Sequence, residues 1–409
     1  MLLLLRRLLS RNQFSCSDLL SSQLGWMRGV IVVSIFNFMA SWPTAPLLAA
    51  ELTFQAQSCG FSAVRDAVQD AIDSGANSVV NIPAGTCNWG DNKLVLPGGI
   101  SLKGSGKDTT VLRSYSSAND RLITIDCSNG KTARFSDMTL IGKGNPAIWD
   151  GGLAFRGGCS DFVVFNSRFS DFVFYGVGVW GDSRGVIYQN DFLNNYRAGQ
   201  TGGATGYGVV VYGNGTWPLL ELGTANAVFV EDNYFSGNRH HIASNNGSRY
   251  VFRYNRAIAT SAVRDFPIVD AHGRSSSPRG SRSWEIYNNT FSTDLAANKK
   301  ARAITGIRGG DGVVFNNMVT DPLTIRTMIE LSALEVALPY PSMDQMRSGY
   351  FWNNSPDLLV NEAPGNFVLG RDYFLTARPG YTPYVYPHPL RNPQGATTPP
   401  IAPSNLRVE

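Results

Sequence analysis

The sequence is poor in the residues that build metal centres, redox sites and membrane spans. Its 409 residues include five Cys and four His. No Cys-x-x-Cys and no His/Cys spacing of the zinc-binding kind occurs, which excludes a zinc module as the organising element. No unbroken apolar run reaches the ~20 residues that a membrane span needs. Charged residues make up 16% of the chain, 35 Lys and Arg against 31 Asp and Glu, with no lysine-rich tail or basic block. That balance argues against nucleic acid as a partner. A phosphate loop is missing too. In GSGKDT the places that require Gly and Ser or Thr hold Ser101 and Asp108, and a turn accounts for the glycines.

The first fifty residues are apolar and contain Arg, and the composition becomes ordinary at Glu51. This is the pattern of a removable targeting segment. Met27 serves as its start, Arg28 as the basic region, residues 30–40 as the apolar region and Leu48-Ala49-Ala50 as the stretch before the cut. The expectation is a mature chain from Glu51, secreted, periplasmic or at the cell surface, with no stable membrane span. Losing residues 1–50 removes four Arg and one Asp and lowers the formal charge from +4 to +1. Cys59, Cys87, Cys127 and Cys159 remain, an even number that suits an oxidising compartment. Of the three possible pairings, Cys59 with Cys87 is preferred because the two flank one helix-strand unit; unpaired buried thiols are the alternative. Residues 391–409 are Pro-rich, a tail beyond a domain over 51–390. His388 sits among prolines and reads as structural.

What the chain does have is self-similarity. Residues 238–255, NRHHIASNNGSRYVFRYN, hold a strand-like run closed by Gly247 and a second run closed by Asn255. The same phrase recurs as GLAFRGG with FVVFNS, GVGVWG with GVIYQN, GVVVYG with AVFVEDN, PIVDAHG with SWEIYNN, and AITGIRGG with GVVFNN. Asn190, Asn233, Asn255, Asn289, Asn317 and Asn354 close the second runs at steps of 22 to 43 residues. Units too small to bury their own apolar face must stack into a solenoid. Two strands and a marked turn per unit predict a parallel β-helix. Asn suits the corner because it tolerates left-handed backbone and its amide can bond the Asn of the next coil. Ahead of the repeats, Phe61, Val64, Ala67, Val68, Ala71 and Ile72 recur at helical spacing and predict an amphipathic helix over 61–72 that covers the open first coil.

That helix, the strand carrying Pro83-Ala84-Gly85-Thr86 and the stretch LPGGISLKGSGKDTTVL resemble the N-terminal opening of pectate-lyase-like right-handed β-helix proteins. With the repeats, the resemblance spans residues 55–360. It implies an all-β fold, a right-handed parallel β-helix solenoid with an N-terminal capping helix. For function it implies a choice among polysaccharide lyases, hydrolases, uronate epimerases and binding proteins. The paired and single Asp motifs of polygalacturonases are absent, as are the clustered acidic calcium ligands of pectate lyases. No metal or other cofactor is therefore expected.

Aligning the first runs on their closing Gly puts Phe155, Val179, Val211, Asn245, Ala271 and Ile307 in one core-facing column. The outward position before each Gly then reads Arg156, Trp180, Tyr212, Asn246, His272 and Arg308. Aromatic rings stack on sugar faces and Arg grips carboxylates, so Arg156, Trp180, Tyr212 and Asn246 are candidate substrate-binding residues. Asp270 and His272 share one face, and IVDAHG resembles the Asp-x-His signature of β-helix alginate epimerases, whose His is a proposed proton-transfer residue. Three of the four His fall between residues 240 and 272, and Arg239-His240-His241 adds an Arg able to neutralise a uronate carboxylate. One of His240 and His241 must face the core. The candidate catalytic set is His272 oriented by Asp270, with Arg308, Arg239, His240 and His241. The expected chemistry is removal of the C5 proton from a uronate in an acidic polysaccharide, leading to β-elimination. C5 epimerisation and noncatalytic binding of glycan or protein are the alternatives. In the second runs, Glu231 and Arg253 read as an ordinary cross-strand ion pair, and Asp232 has no partner visible in sequence.

Overall fold

The computed structural model describes residues 51–392, apart from residues 146, 198–204, 275–276, 297–298 and 333–341. The expected leader, its cleavage point and most of the Pro-rich tail lie outside the described residues. Among the described residues the strands form three sheets, of twelve, ten and nine strands. Between the end coils, each coil adds one strand to each sheet. Tyr207–Tyr212, Val228–Glu231 and Tyr234–Ser236 are followed by His240–Asn245, Arg249–Arg253 and Arg256–Ala259, which pair with them in parallel and in the same order. The fold is a parallel β-helix. The two-run phrase accounts for the ten- and twelve-stranded sheets; the third strand, only three residues in Tyr234–Ser236, is too short to carry a period of its own.

Inward side chains stack on like neighbours along the solenoid. On the nine-stranded sheet Phe169, Phe192 and Phe235 form a buried ladder with successive ring centroids 5.3 and 4.7 Å apart, and Phe135 of the twelve-stranded sheet packs on Phe169 at 5.8 Å. Burying each ring stabilises the fold by about 1.5–3 kcal/mol, and a one-residue slip would turn the whole ladder outward.

Asn190, Asn233, Asn255, Asn289, Asn317 and Asn354 occupy one corner in successive coils, as the repeat predicts. Each Nδ2 donates to the Oδ1 of the next Asn at 2.9 to 3.1 Å. Asn233 also donates to the carbonyl oxygens of Ile187 and Glu231, at 2.9 and 3.0 Å. The left-handed residue is the one before the ladder: Gln189, Asp232, Tyr254, Asn288, Asn316 and Asn353 have φ between 51° and 56°. That residue turns the corner and frees the next side chain to point inward. The ladder position therefore selects Asn for its amide, which both donates and accepts, rather than for its backbone tolerance.

At the N-terminal end, helix Phe61–Asp73 buries Val64, Ala67, Val68 and Ala71 in the core. The Cys59–Cys87 disulfide ties the helix start to strand Gly85–Gly90, and Cys127–Cys159 forms a second bridge, so none of the four thiols is unpaired. Trp89 locks the same junction, donating its indole N–H to the Cys59 carbonyl at 2.9 Å and packing edge-on against Phe61.

At the other end, residues 381–391 pack on the outer face of the twelve-stranded sheet. Glu231 and Arg253 do form a cross-strand ion pair, 2.6 Å long and fully buried. Arg253 also donates to the carbonyl oxygens of Tyr384 and Val385, at 2.6 and 2.9 Å. The backbone N–H of His388 and the Arg391 guanidinium each donate to Glu231 at 3.0 Å. Asp232 accepts from the Tyr386 hydroxyl at 2.8 Å, a partner more than 150 residues away that no local reading could supply.

Candidate functional site

Strand pairing sets three outward columns on the ten-stranded sheet. One is Tyr175, Tyr207 and His240. A second is Gly178, Val210, Ala243, Asp270, Gly306 and Glu330. The third is Trp180, Tyr212 and Asn245, continued by His272 and Arg308, which directly follow the paired Ala271 and Ile307.

This register corrects the Gly-anchored alignment by one residue in the strand His240–Asn245. Ser244, rather than Asn245, pairs with Val211 and Ala271, and Asn245 pairs with Tyr212. The sequence NNG carries one residue more before its Gly than the other coils do. Asn246 absorbs it by adopting φ 61°, and its Nδ2 donates to the Gly213 carbonyl at 3.1 Å. Asn246 is thus a turn residue, and Asn245 takes the outward place expected of it.

At the strand starts the in-out alternation breaks while the register is kept. The pairing passes from Tyr207 and His240 to Val209 and Ile242, skipping Gly208 and His241. A Cβ on Gly208 would meet the Phe235 ring at 2.8 Å, so only Gly fits at this break in alternation. It leaves Tyr207 and His240 outward and turns His241 inward. The His241 ring stacks on Phe235 at 5.3 Å, its Nδ1 accepts from Asn238 at 3.2 Å and its Nε2 donates to the Ile258 carbonyl at 3.1 Å. With both nitrogens engaged in the core, His241 continues the Asn195 to Asn238 amide pair rather than facing the cleft.

Asp270, 1% exposed, gives its carboxylate to Arg308, which donates from Nε at 3.0 Å and Nη2 at 2.5 Å. Burial alone would raise the Asp270 pKa, but the Arg308 guanidinium overrides it and holds the carboxyl at about 2. The expected orientation of His272 by Asp270 is replaced by a local contact: His272 Nδ1 donates to the Gly273 carbonyl at 2.7 Å. Burial lowers the His272 pKa below its ordinary value against the opposing pull of Asp270. The imidazole is therefore neutral at neutral pH, with its proton on Nδ1. Its Nε2 lone pair has no hydrogen-bond partner among the described residues. His240 is held by one nitrogen and its ring: burial pushes it down to about 3, its Nδ1 donates to the Pro267 carbonyl at 2.5 Å, and its ring stacks on Tyr207.

Tyr207, Tyr212, Asn245, His272 and Ser277 line a cleft of about 150 Å³. Arg239 stands beside it, donating to the Tyr207 hydroxyl at 3.0 Å and lying 4.7 Å from the Phe266 ring centroid. Among the described residues Arg239 makes no ion pair, and its buried Nε has no hydrogen-bond partner. Burial raises the pKa of both Tyr207 and Tyr212, keeping the phenols protonated, with Arg239 opposing the rise. Towards the N-terminal coils, Trp180 stacks parallel on Tyr212 at 5.8 Å, Arg156 lies over Trp180 at 5.1 Å, and Arg121 donates to the Tyr175 hydroxyl at 2.7 Å.

The structure thus brings Arg156, Trp180, Tyr212, Asp270, His272 and Arg308 onto one face with Arg239 and His240. Sequence reasoning missed Tyr175, Tyr207, Arg121, Asn245 and Ser277. The signal for the two tyrosines was the recurrent Tyr-Gly that opens YGVGVW and YGVVVY, where the Gly marks the break in alternation. Among the described residues no three His, Cys, Asp or Glu side chains gather as metal ligands, and no helix is long and apolar enough to cross a membrane. A neutral imidazole with a free lone pair, protonated phenols and an unpaired guanidinium can accept a proton, donate one and neutralise a carboxylate.

The three parallel sheets define a parallel β-helix protein. The chain is similar to an alginate lyase from Paenibacillus sp. str. FPU-7, at 12% identity and a TM-score of 0.49, over 79% of this chain and 99% of that one. It is similar to ORF18 of Geobacillus virus E2, at 13% identity and a TM-score of 0.43, over 76% of this chain and 59% of that one. It is also similar to the A-module of a mannuronan C-5 epimerase from Azotobacter vinelandii, at 15% identity and a TM-score of 0.40, over 76% and 86% of the two chains. At these identities the likeness concerns the fold alone. No family model matches the sequence, and no curated protein matches it.

Proposed function

We propose that the chain acts on an acidic, uronate-containing polysaccharide by removing the proton at C5 of a uronate, and that β-elimination follows. The observation that carries this reading is the meeting of neutral His272 and the protonated phenol of Tyr207 in one cleft, with the unpaired Arg239 beside it on the Tyr207 hydroxyl. Arg239 neutralises the substrate carboxylate and so acidifies C5–H. His272 Nε2 takes the C5 proton, the C4–C5 double bond forms and the C4–O bond breaks. The Tyr207 hydroxyl, whose acidity Arg239 raises, returns a proton to the departing oxygen. Arg308 is committed to Asp270 by two hydrogen bonds, which favours Arg239 over Arg308 as the carboxylate-facing cation. Trp180, Tyr212 and Arg156 offer stacking and charge to sugars on the N-terminal side.

C5 epimerisation shares the first step and differs in the second, since reprotonation at C5 from the opposite side preserves the chain. The presence of two protonated tyrosines in the cleft favours keeping this reading beside the first. Export of the mature chain is supported by the two disulfides.

The test is incubation of the protein from Glu51 onward with polymannuronate, polyguluronate, polygalacturonate, glucuronan and glycosaminoglycans. Ultraviolet absorbance of unsaturated uronates is followed together with proton exchange at C5. Elimination raises the absorbance; epimerisation exchanges C5–H without it. Binding without either outcome selects the noncatalytic alternative.

A further inference from the structure

A second opening lies farther along the same face, outside the set of groups used above. It measures about 490 Å³ and is lined by Lys300, Arg302, Arg326, Ala301 and Asp265. The pairings Ala301 with Ile325 and Ala303 with Thr327 set Arg302 directly beside Arg326 on neighbouring strands. Strands in a sheet lie ~4.8 Å apart, so these two cations stand about one and two coil spacings beyond the strand of Asp270.

The two guanidiniums are held from below. Glu330, 1% exposed, accepts from Arg302 at 2.6, 3.0 and 3.1 Å and from Arg326 at 2.9 Å. A buried acid shared by two half-exposed guanidiniums fixes their position while presenting little negative charge of its own. Arg326 also meets the exposed Glu362 at 2.7 Å, and Asp265 lies 3.7 Å from Arg264 at the rim. Lys300 is exposed and makes no ion pair among the described residues. The opening therefore offers one unpaired ammonium and two braced guanidiniums with N–H groups to spare, which is a fit for carboxylates repeated along a chain.

We propose that this opening is a distal carboxylate subsite for the same acidic polysaccharide, so that the chain lies along the solenoid from the aromatic end at Trp180, past His272, to the cations at Lys300, Arg302 and Arg326. The proposal rests on the uronate reading above. Its consequence is selection for length: an oligomer long enough to reach the cations gains affinity that a short one lacks.

The experiment compares binding of a mannuronate dimer and hexamer by isothermal titration. One protein is the His272→Ala variant, used so that nothing is turned over; the other carries Lys300→Ala and Arg326→Gln in addition. Arg302 is kept so that Glu330 stays paired, and circular dichroism checks the fold. If the triple variant does not fold, Lys300→Ala added alone to His272→Ala gives the same readout. The ratio of hexamer to dimer affinity is expected to fall roughly tenfold when the cations are lost, and salt is expected to erode that ratio only while they are present. An unchanged ratio overturns the subsite. A wild-type protein that shows the length gain yet turns over no uronate polymer removes the catalytic reading and leaves the subsite standing; binding of neither oligomer overturns both.

Discussion

On the outer face of the twelve-stranded sheet, Glu231, Asp232, Arg253 and Glu285 each receive a partner from residues 381–391. On the outer face of the ten-stranded sheet, the comparable positions hold Asp270, His272, Arg308 and, beside them, Arg239. There Asp270 and Arg308 satisfy each other, while Arg239 has an idle buried N–H and His272 a free lone pair. Both faces are built by the same outward columns of the same repeat. The difference is that one set of charges is saturated by later chain and the other is left with unused capacity. Buried groups that are fully paired hold a fold together; those held in place but not used up are the ones able to act on a ligand.

The comparison is broken most forcefully on the saturated face. Arg253→Met leaves Glu231 buried with one strong partner fewer, and urea denaturation should show a loss of about 3–5 kcal/mol. At the corner between the sheets, Asn255→Ala interrupts a ladder in which each amide serves two coils. A loss of about 1–3 kcal/mol is expected by the same measurement.

Acid sharpens the contrast further, because both faces of the strand His240–Asn245 carry a histidine. His240 and His241 are held neutral by burial, each with its pKa pushed down to about 3. The unfolded chain takes up protons below about pH 6.5 where the folded chain does not, so stability is full above that value and falls as pH drops towards 3. Replacing His241 with Asn should flatten part of that decline in denaturation curves taken across the range. Activity has a related signature: since His272 must be neutral to accept a proton, the acid limb of kcat/KM should lie below the ordinary histidine value. The smallest effect is expected at the aromatic end, where Trp180→Ala removes a stacking ring and should weaken substrate binding by about 0.5–1.5 kcal/mol, read as KM with kcat little changed.

Much of the architecture was legible because the repeat writes it several times. The Asn corners and the core parity each rest on a pattern sampled in many coils, so a local exception does not erase it, and the capping helix rests on apolar spacing within its own segment. The site is where the pattern departs from itself. Asn246 fills an extra place that a Gly-anchored alignment cannot see, and the break in alternation at Gly208 leaves Tyr207 outward and His241 inward. The partner of Asp270 is set by strand stacking with Arg308, 38 residues on, whereas sequence proximity pointed to His272. The partners of Glu231 and Asp232 were out of reach for the same reason.

On the open face of the ten-stranded sheet, His272 is the group proposed to act on the substrate. The most direct measurement is turnover of whichever uronate polymer the wild-type protein is found to cleave or epimerise, compared with His272→Ala after circular dichroism and urea denaturation have shown equal folding. The expected loss is roughly two to four orders of magnitude in kcat/KM, the worth of a positioned base. A folded His272→Ala protein with undiminished turnover would contradict it.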